Sequence, residues 1–479
     1  MRGWSGRRRR SGAPAIGRGG GPAGSQSSPH QATGDNWQVP TASPRPDAAA
    51  RSRSGRVAGV TAGRRGADPG GRGVPHWQWL AALALILAGA SIPVVRFLVL
   101  WPMDQWQVDV EVYREAGISI LLGRPIYGAM TEAPQLLPFT YPPFAALLAV
   151  PLALLPFGVV GWAWTAAQVA ATAGIVWYAG YRLIHSGPGG RARPVVLGLL
   201  AAPMFWLHPV GDGIRFGQVN AFIVLACLMD LRRPRPRLLA SVPPGVLVGL
   251  AMAIKLTPGV FVIHYLLCRR WKEAGTAIAT AAGAWLGAFL VLPEASLVFW
   301  GGALQDPARL GPNMGTSNQS MRGVLMRVGP DGVPGVAIWL LCVVLVGAFG
   351  FALAGRAYRA GDSITEVATI GLLACLLSPV AWIHHFHWMV VVILAVLGAD
   401  PWRDRRRALA AAVLLAWFIA RLPWWGISWI ANAWPPVLVG RLLQNADLVG
   451  ALLALWLLAW SLARPSARLP RDGDRVSPG

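Results

Sequence analysis

Apolar residues along this chain come in runs. The first covers residues 77–101; others follow at 141–156, 159–182, 194–210, 216–231, 243–267, 272–293, 334–355, 364–381, 384–398, 406–423 and 446–463. A helix crosses a hydrocarbon core in about 20 residues, and most of these runs approach or exceed that length. The pattern predicts an all-α polytopic membrane protein with about eleven or twelve spanning helices. Two runs must bend. The 141–156 run is bracketed by prolines and is expected to dip in and return. The 243–267 run has basic residues at both ends and should break near Lys255–Pro258, because Pro258 removes a helical hydrogen bond. Such breaks survive in a membrane only where they are buried or line a cavity.

Composition sharpens this picture. Of 479 residues, 54% are hydrophobic and only 13% charged, and mean hydropathy is +0.47. Soluble domains carry about twice that share of charge, so a soluble enzyme or a secreted disulfide scaffold does not fit. Net charge is +22, which elsewhere points to nucleic acid. Here thirteen arginines precede residue 75, and most others sit in short loops between the runs, where they set topology. No nucleic-acid partner is expected; membrane lipids are. Residues 1–75 hold Arg, Gly, Ser, Pro and Ala, too little apolar surface to offset ordering, and are expected to be a disordered basic cytoplasmic tail. The spanning domain is then 76–464, with a second disordered tail at 465–479.

The arginine clusters at 191–193, 232–237, 269–272, 356–359, 403–407 and from 464 are expected inside, with both termini. Asp109, Gln218, the 294–333 loop, the His384 region and 424–445 are then outside. Cys227, Cys268, Cys342 and Cys375 lie in or at the ends of apolar runs without metal spacing, and read as small core residues.

Nearly all unusual polar residues fall on the expected external side: Asp109 in VDVEVYREAG, Tyr113, Tyr127, Tyr141 in YPP, Gln218 and Asn220 in FGQVN, Lys255 in AIKLTP, Asn318 and Gln319 in SNQS, and His384, His385 and His387 in WIHHFHW. Charged groups at membrane depth are costly and therefore candidates for function. Asp109 opens a helical pattern with Val112, Ala116, Ile120 and Leu121 as its apolar face. It is either a helix-start acid favoured by the dipole or a general base. Lys255 is either a snorkelling lysine or a phosphate ligand at a helix break. His384 and His385 are interfacial anchors or catalytic groups. The spacing of the three histidines does not put all of them on one helix face, so no metal is expected. The Gln218 and Asn220 amides suit sugar hydroxyls or backbone capping.

These motifs, in this order, resemble glycosyltransferase family 87, multi-spanning GT-C-type mannosyltransferases of actinobacteria. The GQ-x-N, IK-x-TP and SP-x-x-W-x-HH elements are the most specific, and the resemblance covers about residues 80–460. It implies a GT-C-like bundle that moves a hexose, mannose first, from a polyprenyl-phosphate sugar to a glycolipid or lipoglycan acceptor on the external face, with inversion. It places Asp109 at the catalytic base position and Lys255 with His384 and His385 at donor-phosphate or acceptor recognition. Catalytic residues are then Asp109, His384 and His385, and substrate-binding residues Tyr113, Tyr141, Gln218, Asn220, Lys255, Asn318 and Gln319. No cofactor is expected beyond the lipid-linked donor, in keeping with the lack of a Gly-rich nucleotide fingerprint. A polyprenyl phosphate leaves as a stable anion and needs a cation more than an acid. Two other readings stand: a lipid or glycan transporter, though no internal repeat is evident, and a transferase of another sugar such as arabinofuranose or glucose.

Overall fold

A computed structural model describes residues 74–100, 106–186, 192–431 and 437–464. The tail expected at 1–75 lies outside the described residues except for its last two positions, and the 465–479 tail lies outside them entirely. Among the described residues there is no strand, only isolated bridges pairing Met130 with Pro138 and Asn318 with Trp382.

Four helices are long and apolar enough to cross a membrane: His76–Val99, Phe157–Ala179, Trp271–Val291 and Gly332–Ala360. Three pairs meet the test together but are bent: Arg193–Met204 with His208–Phe216 by 81°, Arg405–Ile419 with Leu422–Ala431 by 48°, and Val437–Gln444 with Ala446–Leu462 by 61°. By length and composition the spans therefore number four to seven, below the eleven or twelve expected. The remaining apolar runs form short helices, among them Pro143–Ala153, Asn220–Leu231 and Ser363–Leu376. Ser363–Leu376 is buried along almost its whole length, and so is Met389–Leu397. A run apolar all round reads the same whether it faces lipid or protein. Gly332–Ala360 is the opposite case, with Leu340, Leu341, Val344 and Leu345 exposed as a lipid-facing helix requires.

Helices in lipid associate by close packing. Gly89 and Gly198 let His76–Val94 and Arg193–Met204 touch. A Cβ at Gly89 would strike the Ala202 backbone, and one at Gly198 would strike Ala82 and Leu85.

The expected break in the 243–267 run is present. Val246–Ile254 ends at Lys255, whose backbone is extended, and Gly259–Leu267 begins after Pro258. At the far end of that second helix Arg270 pairs with Glu366 (2.8 Å) and Glu273 (3.0 Å), and His264 contacts Glu366 at 3.0 Å. The expected helix from Asp109 is Val108–Leu121. Its buried face differs from the expected one. Val108, Val110, Tyr113 and Gly117 join Val112 and Ala116, whereas Ile120 is half-buried and Leu121 exposed.

Candidate functional site

Gln107 fixes the start of the Asp109 helix. Its backbone is left-handed (φ 51°), its N–H donates to the Arg215 carbonyl (3.1 Å), and its side-chain amide donates to Gly161 (2.9 Å). Asp109 is the second residue of the helix and sits partly buried. Burial raises its carboxyl from 3.8 to about 6, against the opposing pull of the Gln218 hydrogen bond and the Lys255 charge.

Tyr113 lies one turn on, on the same face. Its hydroxyl is 3.1 Å from that of Tyr141, and both hydroxyls lie within 3.3–3.5 Å of Gln218 Oε1. Tyr127 donates to the Tyr141 carbonyl (2.8 Å) and so acts on the backbone of this group. Gln218 owes its position to Gly217, which ends His208–Phe216 in the left-handed region (φ 71°) and lies so close to Val110 that a Cβ would collide with it. Gln168, from the Phe157–Ala179 span, donates to the Gln218 carbonyl (2.6 Å) and that of Gly213 (3.0 Å). It escaped the sequence reading, although a buried glutamine inside an apolar span is itself a signal.

Lys255 faces this group from the helix break. Its Nζ donates to Asn220 Oδ1 (3.2 Å), lies 3.0 Å from His385 Nε2, and sits 5.4 Å from the Tyr141 ring centre. Asn220 in turn donates to the His384 carbonyl (2.9 Å). The Trp382 N–H donates to His385 Nδ1 (3.2 Å), so that nitrogen is an acceptor and a neutral ring carries its proton on Nε2. Asn220, Lys255 and His385, with Thr257, Cys375 and Trp388, line a small cavity.

The three histidines lie on the short helix Ile383–Trp388 and part company. His385 joins Lys255, His384 packs its ring edge-on to Phe216, and His387 reaches Thr172 (3.4 Å). Buried His384 Nε2 has no hydrogen-bond partner among the described residues. Asn318 and Gln319 are fully buried outside this cluster. Asn318 accepts from Ala381 and Ser320 N–H and donates to Asn313; Gln319 donates to the Thr316 and Gln444 carbonyls. Their amides hold loop backbone together.

Asp109, Tyr113, Tyr141, Gln218, Asn220, Lys255 and His385 thus form one connected group inside a membrane helix bundle, with a carboxylate and an ammonium acting on each other. A carboxylate and an ammonium in one group are the charges that proton transfer and anion binding call for.

The profile of glycosyltransferase family 87 matches residues 139–379. The chain is 31% identical over 77% of its length to a polyprenol-phosphate-mannose-dependent alpha-(1-2)-phosphatidylinositol mannoside mannosyltransferase of Mycobacterium tuberculosis, covering 92% of that protein. It is 33% identical over 75% of its length to the protein of the same name in Mycolicibacterium smegmatis, covering 84% of it. It is 34% identical over 68% of its length to an alpha-(1-2)-phosphatidylinositol pentamannoside mannosyltransferase of M. smegmatis, covering 76% of it. No solved structure matches the chain. The chain belongs to glycosyltransferase family 87 and is a multi-pass membrane glycosyltransferase.

Proposed function

We propose that this protein transfers mannose from a polyprenyl-phosphate donor to a phosphatidylinositol-mannoside type of glycolipid, forming an α-1,2 bond with inversion on the external face. The observation that carries this reading is the pair of donors on one cavity. Lys255 Nζ and His385 Nε2 lie 3.0 Å apart on the wall of one cavity, and with Nδ1 taken up by the Trp382 N–H the ring can offer its Nε2–H beside the lysine ammonium. An anion in the cavity, at the apex above the pair, accepts from both. Three helices, Asn220–Leu231, Gly259–Leu267 and Met389–Leu397, also begin at this cluster, so their positive ends add to the attraction.

The acceptor hydroxyl oxygen attacks the anomeric carbon as the bond to the phosphate oxygen breaks. The electron pair leaves with the phosphate, which gains a negative charge beside Lys255 and His385. The hydroxyl proton passes to Asp109. Tyr113, Tyr141 and Gln218 order the sugar hydroxyls, and Asn220 orients Lys255. Asn318 and Gln319 act at a distance, by fixing the loop against the histidine segment. No cofactor enters this scheme; the donor lipid brings the activated bond.

Orientation is supported by those same three helices. Each has site residues at its start, and beyond its end come Arg232–Arg237, Arg269–Lys272 and Arg403–Arg407 respectively. Arginines in short loops stay inside, which leaves the cavity outside. Incubating purified protein with radiolabelled polyprenyl-phosphate mannose and phosphatidylinositol mannosides tests the assignment. Label should move to the acceptor in an α-1,2 link; transfer only from a nucleotide sugar, or none, refutes it.

A further inference from the structure

A second cavity opens at three breaks in the helices. The first span ends in a π-helical stretch, Val95–Val99, just after Pro93. The second break is the 81° bend between Met204 and His208, and the third the 48° bend at Arg421, whose backbone is left-handed (φ 53°). Irregular backbone at membrane depth lines cavities or is buried, and here it brings cations together. The Arg96, Arg215 and Arg421 guanidinium carbons lie 5.3, 5.9 and 5.1 Å from the Phe97 ring centre. Arg96 and Arg421 line the cavity itself. Arg421 is held by Asp212 (3.2 Å), which also contacts His208 (3.4 Å). Arg96 has no ion pair among the described residues.

The rest of the wall is apolar: Ile92, Phe205, Trp206 and Ile419. Ile92 and Trp206 are exposed on the helix surface, so the cavity continues sideways into lipid-facing wall. A cationic end on an apolar, laterally open slot fits an amphiphile with an anionic head. The His208–Phe216 helix separates this slot from the catalytic group. Gly211 lines the slot, the Arg215 carbonyl holds the Gln107 N–H two residues before Asp109, and Phe216 packs on His384.

We infer that this cavity holds the phosphodiester of the acceptor glycolipid, with Arg96 and Arg421 on the phosphate and the acyl chains along Ile92 and Trp206, so that the sugar head reaches toward Asp109. The inference rests on the proposed function for the identity of the acceptor, and the donor phosphate is left to Lys255 and His385.

Binding separates the two ideas, because it needs no turnover. The full-length protein in detergent is titrated with fluorescent phosphatidylinositol, phosphatidylglycerol, a phosphate-free mannosyl-diacylglycerol and polyprenyl phosphate. In Arg96→Gln the dissociation constant for phosphatidylinositol should rise about tenfold or more, the size of a lost charge-assisted hydrogen bond. Mannosyl-diacylglycerol and polyprenyl phosphate should bind as before. Arg421→Gln should act in the same direction, with folding checked by melting temperature. Unchanged phosphatidylinositol binding in Arg96→Gln overturns the inference. Phosphatidylglycerol, which shares the phosphodiester and acyl chains, should lose affinity in Arg96→Gln as phosphatidylinositol does; an equal loss for polyprenyl phosphate gives the site to the donor and overturns the inference. Arginine-dependent phosphatidylinositol binding in a protein that transfers no mannose would sink the proposed function and leave this site standing.

Discussion

Lys255 Nζ and His385 Nε2 stand 3.0 Å apart on the wall of one cavity. The cause is upstream. Trp382 N–H occupies the other ring nitrogen of His385, and Asn220 Oδ1 takes one of the three ammonium protons. A doubly protonated ring would set a second N–H against that of Trp382. The neutral ring and the ammonium are therefore two donors waiting for one acceptor.

If that acceptor is the donor phosphate, Lys255→Ala should weaken binding of polyprenyl-phosphate mannose by about 10- to 100-fold, the range for hydrogen bonds to charged groups. Lys255→Arg should recover only part, because the planar guanidinium is longer and meets the phosphate differently. His385→Phe should cost about tenfold. Equilibrium titration checks all three. An unchanged dissociation constant in Lys255→Ala would make the lysine structural.

The raised carboxyl of Asp109 sets a pH signature. A base must be ionised to accept a proton, so kcat/KM should fall about tenfold per unit as pH drops below about 6. The stability effect has the opposite sign. The folded protein holds the Asp109 proton more tightly than the unfolded chain, so ionisation between 3.8 and about 6 costs stability as pH rises. Asp109→Asn should therefore melt above wild type at pH 7–8, and the difference should vanish below about pH 4. Calorimetry across that range reads it directly.

Gly217 is predicted to be intolerant of a side chain. Its left-handed backbone costs an alanine about 1–2 kcal/mol, and the new methyl meets Val110. Gly217→Ala should lower the melting temperature and displace Gln218 from Asp109, with turnover down about tenfold. Adding Val110→Ala should return part of the loss by removing the collision.

Orientation has its own measurement. Met314 is exposed in the 294–333 loop and Arg405 is exposed beyond the Met389–Leu397 helix. In a background without native cysteines, Met314→Cys should react with an impermeant thiol reagent in intact cells and Arg405→Cys should not. The reverse pattern would place the cavity inside.

Much of this was legible in the sequence. The break at Lys255–Pro258 follows from one proline, and the Asp109 helix from its apolar spacing. Tyr141, Gln218, Asn220, Lys255 and His385 stood out because polar groups are rare in such a chain, and they do meet. The span count was not legible, because Ser363–Leu376 is as apolar as a lipid-facing helix yet buried in protein. Asn318 and Gln319 look like chemistry in an external loop, and only the fold shows their amides bound to backbone. The Arg421–Asp212 pair joins helices far apart in sequence, which no periodicity reveals.

If Asp109 takes the acceptor proton, its carboxylate should be needed for the chemical step and not for donor binding. Single-turnover transfer of radiolabelled mannose from polyprenyl phosphate, in Asp109→Asn beside Glu111→Gln and Glu115→Gln, tests it most directly. Glu111 accepts a hydrogen bond from the Glu132 N–H (3.2 Å), so its variant controls for loop geometry on the same helix. Asp109→Asn should lose about 10²-fold or more with donor binding intact, and the two controls far less. Small and similar losses in all three variants, in folded protein, would rule Asp109 out and move the base to His384, whose buried Nε2 has no partner among the described residues.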